Sequence, residues 1–168
     1  MAASVVFMGV AGCGKSSLAA AVAQALGLPL VEGDDFHSAA NRHKMAQGTA
    51  LTDQDREGWL GVLETQLHAA PEGIALTCSA LKHRYRDQLR RAAPGLRFVF
   101  LDLSREAAQA RVAARPGHFF GPALVNSQFE TLEPPTGEPG VLRVDACAPL
   151  DRLCEQVVRW LRAPPVNG

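Results

Sequence analysis

The chain has 168 residues, 47% apolar and 20% charged, a length that supports one domain with a full core and is short for two. Lys plus Arg and Asp plus Glu stand at 17 each, so the formal net charge is zero, which removes the simplest case for a nucleic-acid partner or an anionic membrane surface. No apolar run reaches the length needed to span a bilayer.

Strand-like apolar runs alternate with segments of helical period, the pattern of βαβ units around a parallel sheet. Residues 4–8 form a continuous apolar run, as a strand covered on both faces requires. A helix follows over 15–26, with Gly27 placed to end it. Residues 29–31 make a short second strand, and 41–47 a short helix stopped by Gly48. Thr52 reads as the N-cap of a helix running to about residue 68, with Asp53, Asp55 and Glu57 in a first turn that favours negative charge. The third strand spans 74–78, the next helix roughly 82–92, and the fourth strand 96–101. Ser104 caps a helix over 104–115, and 141–144 is a fifth strand. The last helix begins at Pro149, a favoured first position, and keeps Leu150, Leu153, Cys154, Val157, Val158 and Leu161 at helical spacing. Residues 163–168 read as a loose tail. Residues 1–168 are therefore expected to form one α/β domain, a doubly wound parallel sheet of about five strands with helices on both faces.

The four cysteines (Cys13, Cys78, Cys147 and Cys154) form no CxxC pair. Lys15 is the sole charge in the first 31 residues, and no basic segment precedes the apolar stretch as a secretory leader would have it. The expectation is a cytoplasmic protein with reduced thiols.

Gly9, Val10, Ala11, Gly12, Cys13, Gly14, Lys15 and Ser16 match G-x-x-x-x-G-K-[ST] at every fixed position, between an expected strand and an expected helix. The glycines let successive N–H groups turn inward toward phosphate oxygens, and the helix N-terminus adds positive potential. Lys15 is placed to reach the β- and γ-phosphates of ATP, and the Ser16 hydroxyl to ligate Mg²⁺. Ser17 completes the nucleotide-binding set. No N-K-x-D for guanine is present, and residues 74–78 run into Ser79 with no acid at the strand end. The metal-side carboxylate must then come from just past the second strand, where Glu32 and Asp34 stand.

Beyond this loop the chain resembles the thermoresistant-type gluconate kinases, small relatives of shikimate kinase and the nucleoside-monophosphate kinases, from about Val5 to Leu161. Three further blocks carry the resemblance. One is Glu32-Gly33-Asp34-Asp35-Phe36-His37, continued by Asn41, Lys44-Met45, Gly48 and Leu51-Thr52-Asp53-Gln54-Asp55-Arg56 to Trp59-Leu60. The second is Cys78-Ser79-Ala80-Leu81-Lys82 with Tyr85-Arg86-Asp87. The third is Arg115-Pro116-Gly117-His118-Phe119-Phe120 followed by Ser127-Gln128-Phe129-Glu130-Thr131-Leu132-Glu133. The chain departs from the family pattern at Glu32, usually Asp, at Ser38 and Gly58, usually Pro, and at Cys13, commonly Ser.

The resemblance implies a P-loop kinase fold with a substrate-binding helical region at 34–70, a lid near 115–130, and a homodimer. It implies transfer of the γ-phosphate of ATP to D-gluconate; the alternatives are a shikimate or nucleotide kinase, or a nucleotide-binding module without chemistry. Asp34 is assigned to the substrate hydroxyl, as base or orienting acceptor, against the alternative of a helix cap. Glu32 is assigned to the metal, against an exposed salt bridge. His37, Asn41 and Lys44 are candidates to line a polyhydroxy-acid pocket, with a solvated helix face as the other reading for Asn41 and Lys44. Asp53 and Asp55 are read as complements to the helix dipole. Lys82 and Arg86, four apart, are candidates for the gluconate carboxylate, while Arg84, Arg90 and Arg91 read as solvated. The resemblance makes Arg111 an adenine-stacking or phosphate residue and Arg115 a lid arginine; cations ending a helix are the alternative. Cys13, beside Lys15 and a helix N-terminus, is expected to be a reactive thiol shielded by Mg·ATP, unless the loop packs its sulfur inward.

Overall fold

The computed structural model describes residues 4–114 and 122–163. In chain order its elements are β1 (Val5–Met8), α1 (Lys15–Leu26), β2 (Leu30–Glu32), a 3₁₀ turn (Gly33–Phe36), α2 (Ala39–Ala46), α3 (Asp53–His68), β3 (Ala75–Thr77), α4 (His83–Ala92), β4 (Arg97–Asp102), α5 (Arg105–Ala113), α6 (Pro122–Thr131), β5 (Val141–Asp145) and α7 (Leu150–Arg162). All five strands are parallel, in the order β2-β3-β1-β4-β5. β1 lies at the centre, between β3 and β4, so its carboxyl end opens at the point where the strand order reverses, the place where α/β sheets take their ligands.

Side chains alternate across β1. Val5 and Phe7 enter one core with Leu18 of α1, Ala108 of α5, Val125 of α6 and Val157 of α7. Val6 and Met8 enter a second core with Trp59, Leu60 and Leu63 of α3 and Tyr85 and Leu89 of α4. Both faces are covered, which is why the strand is apolar at every position rather than at alternate ones. Gly27 ends α1 in the left-handed conformation, its N–H donating to the Ala23 carbonyl. Thr52 and Asp55 cap α3 reciprocally: the Thr52 hydroxyl accepts from the Asp55 N–H, and the Asp55 carboxylate from the Thr52 N–H.

The expected elements are all present, with ends displaced by a residue or two. Ser104 caps α5 as expected, Pro149 is the N-cap of α7 rather than its first helical residue, and Ser38 caps α2. The α6 helix was not expected as a helix. It occupies the stretch read as lid, yet Val125, Phe129 and Leu132, spaced four and three apart, pack on the first core. Arg115 and His118-Phe119-Phe120 lie outside the described residues. Among the described residues no helix is long and apolar enough to cross a membrane.

Candidate active site

The phosphate loop links β1 to α1. Gly14 precedes the helix with φ 94°, a left-handed geometry that glycine adopts without strain. Lys15 Nζ folds back onto the loop, donating to the carbonyls of Gly9 at 2.9 Å and Val10 at 3.1 Å. The Ser16 hydroxyl donates to Glu32 Oε2 at 2.9 Å, and Thr77 at the end of β3 donates to the same oxygen at 2.7 Å. A carboxylate thus reaches the loop from β2, since β3 itself ends on Thr77 with no acid. Glu32 has no ion pair among the described residues, so its salt-bridge alternative falls away. Ser17 lies exposed on the first turn of α1. Arg111 of α5 donates to Gly12 O at 3.1 Å and to Ala146 O at 2.9 Å, tying the loop to the turn after β5.

Glu32 and Asp34 flank a glycine that nothing else can replace. A Cβ on Gly33 would stand 2.1 Å from the Thr77 carbonyl oxygen, a main-chain atom held in the sheet. The Gly33 N–H donates to the Thr77 hydroxyl at 3.2 Å, and its carbonyl accepts from the Trp59 indole at 2.7 Å. This double clamp sends Glu32 toward Ser16 and leaves Asp34 exposed, facing a cavity.

Lys15, Asp34, His37, Arg56, Trp59 and Gln128 line that cavity, with Ala11 of the loop, Ser79 and Leu124. Asp34 does not cap a helix, because Ser38 performs that role for α2. His37 stacks on Trp59, ring centroids 4.2 Å apart, and its Nε2 is 3.8 Å from Asp34. Burial holds the His37 imidazole below its usual pKa, outweighing the attraction of Asp34, so it is neutral at pH 7. Asn41 is buried beside it and donates to the Asp55 carbonyl at 2.9 Å.

Three assigned cations stand elsewhere. Arg86 is completely buried, with its guanidinium held by Glu138 at 3.0 Å, by the Ala80 carbonyl at 2.7 Å and by the Glu133 carbonyl at 2.8 Å. It cannot meet a substrate; helical spacing placed it beside Lys82, but its face of α4 turns inward. Lys82 stands at the N-terminal boundary of α4, and its side chain pairs with Asp53 at 2.9 Å. Lys44 pairs with Asp55 at 2.8 Å. The two aspartates are therefore ion-pair partners as well as dipole complements. The Tyr85 hydroxyl, then Lys82, hold Asp53 well below the usual carboxylate range, and Lys44 with Thr52 holds Asp55 at about 2. Arg90, read as solvated, is instead mostly buried against Glu138.

Besides Lys15, the cation that lines the cavity is Arg56, 8% exposed, with no ion pair among the described residues. Its NH1 donates to the Tyr85 hydroxyl at 3.3 Å, and that hydroxyl in turn donates to Asp53. Its position was readable: Arg56 stands in the stripe Arg56, Trp59, Leu60, Leu63, Leu67, a charge on the face α3 buries. For Cys13 the structure favours the second alternative: its side chain is 1% exposed and packs into the first core, with Lys15 Nζ donating to its sulfur at 3.9 Å.

A phosphate loop, an oxygen pair suited to a divalent cation and an adjoining acceptor cavity define a P-loop phosphotransferase. The family described as AAA domain matches residues 5–135. The thermosensitive gluconokinase of Escherichia coli is 40% identical over 95% of this chain and 89% of its own length. The thermoresistant gluconokinase of the same organism is 39% identical over 94% and 92%, so the chain stands equally near both types. The crystal structure of a gluconokinase from Sinorhizobium meliloti superposes with a TM-score of 0.88 at 43% identity, covering 95% of this chain and 91% of that one. The chain belongs to the gluconokinase family.

Proposed function

We propose that the protein is a gluconokinase that transfers the γ-phosphate of ATP to D-gluconate, giving 6-phospho-D-gluconate and ADP. The observation that carries the reading is one cavity bounded by Lys15 on the nucleotide side and by Asp34, His37 and Arg56 on the acceptor side. Lys15 leaves the Gly9 and Val10 carbonyls for phosphate oxygens. Asp34 accepts or orients the acceptor hydroxyl, and the loop N–H groups with Lys15 take charge developing on the transferred group. Arg56 is the guanidinium suited to the gluconate carboxylate, replacing Lys82 and Arg86 in that role. Arg111 belongs to the nucleotide side, and Arg115 is proposed to act on transition-state charge.

Ser16 and Glu32 fit Mg²⁺ and would hold it, since a hydroxyl and a carboxylate 2.9 Å apart are hard oxygen donors. Bound there, the ion would supply charge neutralisation at the phosphates. The same reading makes residues 1–168 one catalytic domain, cytoplasmic, acting on a small molecule without nucleic-acid or membrane partners, and assembled as a homodimer.

A coupled ADP-release assay over D-gluconate, shikimate and nucleoside monophosphates tests it. Turnover with D-gluconate and scarcely with the others is expected. Equal turnover on AMP would remove the acceptor assignment, and no acceptor-dependent turnover at all would leave a binding module.

A further inference from the structure

Gln128 of α6 reaches across the cavity mouth, its Oε1 accepting the Ala11 N–H of the phosphate loop at 2.6 Å. In a loop whose N–H groups exist to bind phosphate oxygens, a carboxamide oxygen holds one of them. Ala11 lies at the acceptor end of the loop, lining the same cavity as Asp34. Gly14, Lys15 and Ser16 stand at the other end of the loop, where α1 begins and its N-terminus favours phosphate; with the β-phosphate there, a γ-phosphate directed at Asp34 would pass the N–H that Gln128 holds.

We infer that Gln128 is a specificity residue shared by the two substrates: it occupies a γ-phosphate N–H until ATP arrives, and its displaced carboxamide then hydrogen-bonds the acceptor's hydroxyls. Displacement by a phosphate oxygen is favoured because a charged acceptor makes the stronger hydrogen bond. A carboxamide both donates and accepts, which suits a polyol. Gln128 leaves the loop for a cavity it already lines, beside His37 and Arg56. The consequence is coupling: the γ-phosphate frees a group that the acceptor uses, so each ligand favours the other.

The acceptor half rests on the gluconokinase reading, whereas the nucleotide half does not. Calorimetric titration without acceptor therefore comes first, with Mg·β,γ-imido-ATP and Mg·ADP against wild type, Gln128→Ala and Gln128→Glu. Removing the competitor should tighten the imido-ATP complex of Gln128→Ala by roughly three- to tenfold, the scale of one neutral hydrogen bond, and leave ADP unchanged. Gln128→Glu puts a carboxylate on the same N–H and should weaken imido-ATP while altering ADP much less. In steady state, Gln128→Ala should raise the D-gluconate KM several-fold with kcat little changed. Weaker imido-ATP binding in Gln128→Ala, or equal shifts for both nucleotides, would make Gln128 a mere anchor for α6 and overturn the inference. An unchanged gluconate KM in an otherwise active enzyme would overturn its acceptor half.

Discussion

At the scale of single residues the site separates into groups that touch the reacting atoms and groups that hold those in place. Asp34 is exposed, caps nothing and faces the cavity, so Asp34→Asn should leave nucleotide binding intact and lower kcat by about 10²- to 10⁴-fold, the range for general-base assistance. A kcat within about twofold of wild type would remove Asp34 from proton transfer. The role proposed for Arg56 concerns the acceptor alone. Losing one charge-assisted contact costs about 1.5–3 kcal/mol, so Arg56→Ala should raise the gluconate KM by roughly ten- to hundredfold while the ATP KM stays put. Tyr85→Phe should reproduce a smaller part of that effect, because the Asp53–Tyr85 pair orients Arg56 without reaching the cavity. Parallel increases in both KM values would show that Arg56 holds the fold rather than the substrate.

Between elements the strongest polar joint lies away from the chemistry. Glu138, in the connection from α6 to β5, accepts from Arg86 and Arg90 of α4, and those bonds overcome the opposing effect of burial to hold its carboxyl at about 2. Removing the acid strands a completely buried guanidinium, a change that costs about 3–5 kcal/mol. For a domain of this size Glu138→Ala should therefore lower Tm by on the order of 10 °C, measured by calorimetry, with KM values little altered. From the sequence Arg86 reads as a partner of Lys82 and Arg90 as solvated, and only the path of the distant Glu138 loop reveals that both serve this joint.

Over the whole molecule the lowered pKa values of His37, Asp53, Asp55 and Glu138 act in the same direction. The folded pKa of His37 lies below its ordinary 6.5, so the unfolded chain takes up a proton that the folded one refuses, and stability falls as pH drops through that value. Glu138, held at about 2 against 4.5, contributes fully above 4.5 and loses its contribution as pH falls toward 2. Tm should be level above about pH 7 and decline in two stages on acidification; a flat profile down to pH 5 would remove the His37 stage. Sheet, helices and phosphate loop were legible in the sequence because each follows from local pattern: apolar runs, caps and fixed glycine spacing. The acceptor cavity was only half legible. Asp34, His37 and Glu32 sit within six residues of one strand end, whereas Arg56, Tyr85 and Gln128 meet them only through tertiary packing. The Gly33 clamp has one more consequence, for anyone wishing to change what this enzyme phosphorylates. Because the Thr77 carbonyl leaves no room for a side chain and fixes the step from Glu32 to Asp34, these two carboxylates, with the roles proposed for them, are locked to the sheet as one unit. Met45, Ala50, Leu51 and Ser127, which line the same cavity, have no part in that clamp. A library varying Met45, Ala50, Leu51 and Ser127 can then redraw the acceptor's shape while the machinery for handling ATP passes through every variant untouched.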